Sequence, residues 1–487
     1  MSNSDALIPS VNLLTTAHFT REDALAMLDE VVRSQAYPLS LWTTQTHSGM
    51  CRFDVLLEKY MGKQDGTGGQ NADTYLKALY LAKLMGNQGE VRIISRRATP
   101  HDGWDDFGEA EERLSENLWI NRVWAGPRTG NFSRNFMRNY VGDMVMQATS
   151  ELLLPHFVLG NYVDGGMFAR LMQEQNGVPY SFQGHSFRMK KIETLISEGK
   201  GEDVAKQELP QNASEEVKAM KASDVLFAHV GEEVVDQYHR YTSYSSALGG
   251  RRVECIPPGI NEEVWIRRPL NPDLAHKSVK EIQGPVALYA LHRFDRKKNP
   301  HGTIDGFGYS QARRNGTVLV MFLPGIGKAR RMQDPLAKDI DATIRRHNLQ
   351  QGKDILIIDD GRFPLTEHTV KWVSRHGGCV LNPALEEPFG LAIREMGATG
   401  LPVVMTQNSG QASEWGEGSG GVTVDPASPE SIAAGIDAAI TNQEAWAPMA
   451  AKTVQKFDYE RTAIGFLGFI CQVLLGIYNP YKPYDEA

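Results

Sequence analysis

Cysteine is scarce in this chain: four residues in 487, Cys51, Cys255, Cys379 and Cys471, none of them in a C-x-x-C pair. The spacing argues against a disulfide framework or a thiolate metal site, and a reducing, cytoplasmic setting is expected. A P-loop is missing, and so is a glycine fingerprint that follows a strand and opens a helix. Nucleoside-triphosphate and dinucleotide folds are set aside accordingly. There is no basic excess either. The 51 Lys and Arg against 59 Asp and Glu leave a net charge of −8, the wrong sign for binding by phosphate neutralisation, so no nucleic-acid partner is expected. Residues 1–20 hold no Lys or Arg and no long apolar run, so no secretory signal is expected. The most apolar stretch, 464–478, is too short to span a bilayer and contains Gln472; it reads as a helix packed on protein.

What is present is ordinary globular material, 41% hydrophobic and 23% charged, long enough for two or three domains. An amphipathic helix is expected from residue 21 to 32. From residue 37 strand-like and helix-like runs alternate, with strands expected at 39–44, 91–95, 119–124 and 222–228, a strand ending in a polar, glycine-rich loop within 157–166, and a short strand from 180 that ends in Gly184-His185-Ser186. After a polar, proline-containing linker, strands are expected at 286–290, 318–322, 355–358, 379–381, 403–406 and 422–424, with helices between them. This is the pattern of α/β domains with parallel, doubly wound sheets.

The chemistry gathers where strands end. Residues 382–408, NPALEEPFGLAIREMGATGLPVVMTQN, read as strand end, loop, helix and strand. Glu387 falls before the helix and Glu395 inside it, so both can face the mouth of a parallel sheet, where ligands collect. The same acids also suit a solvated helix start, and spacing alone leaves both readings open. The helix N-terminus at Phe389, Gly390 and Leu391 offers amides to an anion. Earlier, Arg293 and Lys298 flank a strand-to-helix turn with Asn299 and Pro300 as helix starters, and the two cations can converge on one diphosphate. In the first half, a glycine-rich turn with Gly68, Gly69 and Gln70 precedes a helix. Arg128 follows a strand. Asp164 follows another, where capping and ligand binding are equally open readings. His185 and Ser186 close a short strand, and a basic run with Arg188, Lys190 and Lys191 follows.

The 382–408 string resembles the E-x7-E segment of retaining GT-B glycosyltransferases, the family that holds the sucrose-phosphate and sucrose synthases. Further resemblances are Gly68-Gly69-Gln70 to the family's D-T-G-G-Q loop, Gly184-His185-Ser186 to its F-T-G-H-S, and Arg293 to Asn299 to its A-R-x-D-x-x-K-N. The resemblance implies two Rossmann-like domains facing across a cleft, with a last helix crossing back to the first. The expected domains are 1–268 for the acceptor, 269–462 for the nucleotide sugar, and 463–487 for the returning helix. It implies transfer of a hexosyl group, glucosyl first, from a nucleoside diphosphate sugar such as UDP-glucose to a sugar phosphate such as fructose 6-phosphate, with no added cofactor. Nothing in the sequence requires a metal; the pairs Asp105-Asp106 and Asp359-Asp360 are not read as one. Catalytic roles fall by resemblance to His185, Arg293, Lys298 and Glu387. Donor contacts fall to Gly68, Gly69, Phe389, Gly390, Leu391 and Glu395, and acceptor contacts to Gln70, Arg128, Asp164, Ser186 and Lys191. One feature departs from the family: arginines expected on the helix before the strand at 222–228 are absent, which leaves free fructose or another acceptor open.

Overall fold

The computed structural model describes residues 19–45, 69–97, 109–123, 137–185, 187–197, 201–206, 209–230, 238, 251–289, 294–387 and 389–481. Chain contacts divide them into two units. One holds the chain around residues 19–45, Gln70–Pro258 and everything from Tyr459 on; the other holds Gly259–Asp458.

The first unit is built on eight strands. They are β1 (Leu39–Gln45), β2 (Gly89–Arg96), β3 (Glu111–Ser115), β4 (Leu118–Val123), β5 (Phe157–Asn161), β6 (Tyr180–Gln183), β7 (Val225–Ala228) and β8 (Val253–Cys255). Their order across the sheet is β3-β4-β2-β1-β5-β6-β7-β8. All neighbouring pairs are parallel except β3 with β4. The chain therefore runs outward from β1 to one edge and then restarts at β5 on β1's other side. That reversal creates a crevice at the carboxyl ends of β1 and β5. Strand β3 has Glu111, Glu112 and Arg113 on an exposed edge, where charge discourages further pairing.

The second unit has six strands: β9 (Val286–Tyr289), β10 (Val318–Phe322), β11 (Ile355–Ile358), β12 (Gly378–Asn382), β13 (Val403–Thr406) and β14 (Gly421–Val424). All are parallel, in the order β11-β10-β9-β12-β13-β14. This is the doubly wound arrangement, with its reversal between β9 and β12. Successive residues of a strand serve opposite faces. Val286 and Leu288 enter one core with Val318 and Val320, while Ala287 and Tyr289 enter another with Leu319 and Met321. Both faces are thus buried beneath helices, which is why these strands read as unbroken apolar runs.

Two segments attach differently from a simple reading of the chain. The turn Glu263–Arg267, ahead of the polar linker, buries Val264 and Trp265 in the second unit's core. The last helix, Tyr459–Leu474, belongs to the first unit. Its Phe466 and Phe469 rings lie 4.5 and 5.9 Å from Phe227, and Phe469 meets Phe19 edge-on at 5.0 Å. The apolar stretch near residues 464–478 is accounted for by this packing, and no described helix is long and apolar enough to cross a membrane.

Candidate functional site

In the second unit the site grows from the reversal between β9 and β12. After β9, Asp295 accepts the Lys297 amide and starts a tight turn, Arg296–Lys298. Asn299 follows in the left-handed region at φ 57°. Its side chain does not cap the helix Pro300–Tyr309 as its position suggests. It donates instead to the carbonyls of Pro383, at 3.0 Å, and Pro426, at 2.8 Å. The amide group fills the space over Gly302, where a Cβ would come within 2.3 Å of it. The Lys297 carbonyl accepts from the Leu385 amide at 2.8 Å. The basic turn is therefore tied directly to the acidic loop after β12.

Across that tie, Lys298 Nζ donates to Glu387 Oε2 at 2.6 Å, and Asn382 Nδ2 approaches the same oxygen at 3.3 Å. Glu387 is 7% exposed. Its backbone bridges to the loop beyond β13: Glu387 N donates to Asn408 O at 3.1 Å, and its carbonyl accepts from Gly410 N at 3.3 Å. Gly390 caps the helix Leu391–Ala398 at φ 86°, and a Cβ there would lie 2.9 Å from Glu387 Cγ. Glycine is required twice over, for the backbone angle and for the glutamate's stem. The turn thus sets a carboxylate, an ammonium and the first amides of a helix side by side, the groups that sugar hydroxyls and a diphosphate need.

Glu395, one turn into that helix, lies against Trp265 and Glu367. Burial pushes its carboxyl up to about 7, the Trp265 indole lowers it through a hydrogen bond, and the Glu367 charge raises it. Phe389 is buried beneath Arg394, whose guanidinium is 4.4 Å from its ring. The turn at Gly325 and Gly327 gives its amides to Asp359 at 2.6 and 2.9 Å.

The first unit gathers polar groups at its own sheet reversal. Asn161, ending β5, donates through Nδ2 to Thr43 Oγ1 of β1 at 2.9 Å. Lys77, on the helix Gly69–Met85, is 1% exposed. Its ammonium reaches Gln183 Oε1 at 2.6 Å, Asp73 Oδ2 at 3.2 Å and Asn161 Oδ1 at 3.3 Å. His185, just past β6 at φ 56°, points Nε2 at Asn161 Oδ1, 3.2 Å away, and its ring lies 4.8 Å from that of His229. Two non-glycine residues, Tyr162 and His185, hold positive φ at consecutive strand ends, a strain that collects at functional sites. Burial, His229 and Lys77 together hold the His185 pKa well below its ordinary value, against the pull of Asp73. Burial acts to raise the Asp73 pKa, yet Lys77, with His229 and His185, holds it far below the usual carboxylate range. Asp73, His185 and His229 each bring one ligand atom within 4.8 Å of the others. The Lys77 ammonium already stands at that carboxylate and opposes a divalent cation there.

Beside this cluster Asp164 is buried and accepts from Tyr140 OH at 2.6 Å. Arg188 lies over the Tyr162 ring at 4.4 Å, and its amide donates to Glu216 at 3.0 Å. Burial lowers the guanidinium's pKa, and Tyr162, Glu216 and Asp164 raise it by more. Lys191 is half-buried on the helix Arg188–Ser197.

Of the residues singled out in the sequence, the structure joins Lys298 to Glu387 and places Phe389, Gly390 and Leu391 at the adjoining helix start. It joins His185 to Asn161 and Asp164 to Tyr140. Gly68, Arg128, Ser186 and Arg293 lie outside the described residues, and Gly69 and Gln70 are described only as the first backbone positions of a helix. Sequence reasoning passed over Asp73, Lys77, Asn161, Gln183 and His229. A signal existed for the first two: an acid and a base four apart on the helix that the glycine-rich turn opens.

Comparison with known proteins adds the following. The family described as Glycosyl transferases group 1 matches residues 365–456. A sucrose-phosphate synthase of Zea mays is 24% identical over 466 residues, an alignment that covers 79% of this chain and 43% of that protein. The chain thus spans less than half the length of this curated relative. Among solved structures, a sucrose-phosphate synthase from Thermosynechococcus elongatus is similar with a TM-score of 0.68 at 17% identity, covering 90% of this chain and all of that one. Anabaena HepE in complex with UDP and glucose has a TM-score of 0.57 at 12% identity, covering 87% of this chain and 97% of that one. Sequence match and fold agree: the chain has the GT-B fold, its residues 365–456 match the group 1 glycosyltransferases, and it resembles the sucrose-phosphate synthases.

Proposed function

We propose that the protein is a retaining glycosyltransferase that moves a hexosyl group from a nucleoside diphosphate sugar to a sugar phosphate, fructose 6-phosphate being the first acceptor to try. The observation that carries this reading is the Lys298–Glu387 pair at the sheet reversal, 2.6 Å apart and beside an open helix start. The kinship with sucrose-phosphate synthases supports the donor and acceptor classes, and the UDP and glucose named for Anabaena HepE support the donor.

In this reading the C1–O bond to the diphosphate breaks and a bond from C1 to the acceptor oxygen forms on the same face. The acceptor proton passes to the leaving phosphate. Lys298, with Arg293 by resemblance and the amides at Phe389–Leu391, stabilises the charge that builds on the leaving group. Glu387 orients the donor sugar hydroxyls and Glu395 the ribose. His185 lies against the sugar. Gly68 and Gly69 approach the donor, while Gln70, Arg128, Asp164, Ser186 and Lys191 serve the acceptor. No metal or cofactor enters any of these steps.

A second acceptor reading has its own support. The helix Leu209–Ala222 reads LPQNASEEVKAMKA and holds no arginine. Free fructose, or a phosphorylated acceptor held by other cations, fits that composition. A nucleotide-release assay settles the matter. UDP-, ADP- and GDP-glucose and GDP-mannose are each offered alone, with fructose, and with fructose 6-phosphate. Acceptor-dependent release with one pair is the expected result. No release above hydrolysis with any pair would leave a sugar-nucleotide-binding protein without transferase activity.

A further inference from the structure

Asn161 decides the state of His185. Its Nδ2 lies 3.2 Å from the Thr44 carbonyl and 3.3 Å from that of Leu159, groups that can only accept. The amide nitrogen therefore faces them, and the oxygen faces the other way. On that side stands Lys77 Nζ, which can only donate, at 3.3 Å. His185 Nε2 meets the same oxygen at 3.2 Å and must bring it a hydrogen. A neutral imidazole has a single N–H, so Nδ1 keeps the lone pair. The ring's hydrogen bond among the described residues is the one at Nε2.

The ammonium that polarises this oxygen is fixed in place. It is bonded to Gln183, the last residue of β6, and to Asn161, the last residue of β5, so it joins the two strand ends that carry His185 and its partner. The Phe466 ring lies 4.5 Å from it. Charged and titratable groups facing the imidazole come from several elements. Asp73 and Lys77 come from one helix, His229 follows β7, and Tyr459 of the last helix reaches Asp73 at 3.3 Å. Asp73 would favour an imidazolium, yet its carboxylate stands 3.2 Å from Lys77.

We propose that Lys77 is a positioning residue: tied to Asn161 and Gln183, it keeps His185 neutral in the Nε2–H tautomer that Asn161 sets, and so leaves the Nδ1 lone pair to accept a hydroxyl of the bound hexose. Only the identity of that hydroxyl rests on the transferase reading. The tautomer does not. A neutral ring at this place orients the sugar without adding positive charge beside a carbon that becomes cationic as its bond breaks.

The test uses the full chain labelled with 15N-histidine. Long-range 1H–15N spectra are recorded from pH 5 to 8, and the His185 signals are assigned by their loss in His185→Asn. The wild type is expected to show the Nε2–H form with no protonation through about pH 6.5, the ordinary histidine value. Lys77→Gln keeps an N–H for Asn161 and removes the charge; it should keep the tautomer and move the titration upward from its wild-type position. Lys77→Met combined with Asp73→Asn removes both charges without stranding one; Asn161 still presents its oxygen, so the Nε2–H form should persist while the titration shifts. In the Gln variant kcat should fall between pH 8 and pH 6 by more than in wild type, in step with the protonated fraction that the spectra read. KM for the nucleotide sugar should stay unchanged at pH 8, where the ring is neutral in both proteins. An Nδ1–H form or an ordinary titration in wild type overturns the proposal, and needs no folded Lys77 variant. Failure of the wild type to release nucleotide with any donor counts against the transferase reading and leaves the spectra to decide the tautomer.

Discussion

Lys298 places its ammonium 2.6 Å from a carboxylate that is almost fully buried, so the pair cannot be broken from one side without consequence. Lys298→Ala removes the cation nearest the proposed leaving diphosphate, and kcat should fall by roughly 10²–10³. It also leaves Glu387 short of a partner, at a cost of about 1–3 kcal/mol in unfolding free energy. Steady-state rates and urea titrations measure the two separately, and near-normal turnover would remove Lys298 from the mechanism. Glu395 gives a pH signature. Its folded value of about 7 lies above the ordinary 4.5, so the native state holds the proton more tightly than the unfolded chain does. The resulting loss of stability is absent below pH 4.5, develops as pH rises to about 7 and is constant above. Glu395→Gln should therefore raise stability by about 1–3 kcal/mol at pH 8 and leave it nearly unchanged at pH 4.5. Thermal melts at both values check this; an equal gain at both would exclude the charge as the cause. The E-x7-E spacing made both glutamates visible in the sequence. It could not show that one would meet Lys298 and the other Trp265, because eight positions apart they lie on different structures, a loop and a helix.

At the level of elements, turns matter as much as strands. Asn299 was legible as a helix starter from its place before Pro300, but its side chain spans to Pro383 and Pro426, 84 and 127 residues away. A capping role is local and can be read from neighbours; a staple between loops depends on how the sheet is wound. Asn299→Ala leaves two buried carbonyls without that donor and puts a Cβ-bearing residue without a helping amide at φ 57°. A loss of about 2–4 kcal/mol is expected in chemical denaturation. A loss below about 1 kcal/mol would mean that the loops hold together without it. The strands of the second unit were legible nearly to the residue, since burial on both faces leaves an apolar run with turn residues at each end. Strand β3 was not. Its exposed, charged edge carries no apolar periodicity, and only its pairing with β4 reveals it.

At the scale of the molecule, the chain ends by returning to its first unit. Helix Tyr459–Leu474 brings small residues close to large ones: a Cβ on Gly468 would lie 2.5 Å from the Phe19 ring. Gly468→Leu improves helix propensity yet forces that ring aside, and a net loss of about 1–3 kcal/mol is expected from overpacking. A gain in the thermal midpoint would show that this contact yields freely. By itself the sequence determined the α/β class, the two parallel sheets and the strand ends at which chemistry would gather, because periodicity and turn residues are local properties. The tertiary structure alone decided the partners. Lys298 and Glu387 are 89 positions apart, and Lys77 reaches Asn161 and Gln183 across 84 and 106. Parallel winding brings remote strand ends to one edge of a sheet, and which of them touch is fixed by strand order and register, quantities that no stretch of sequence carries alone.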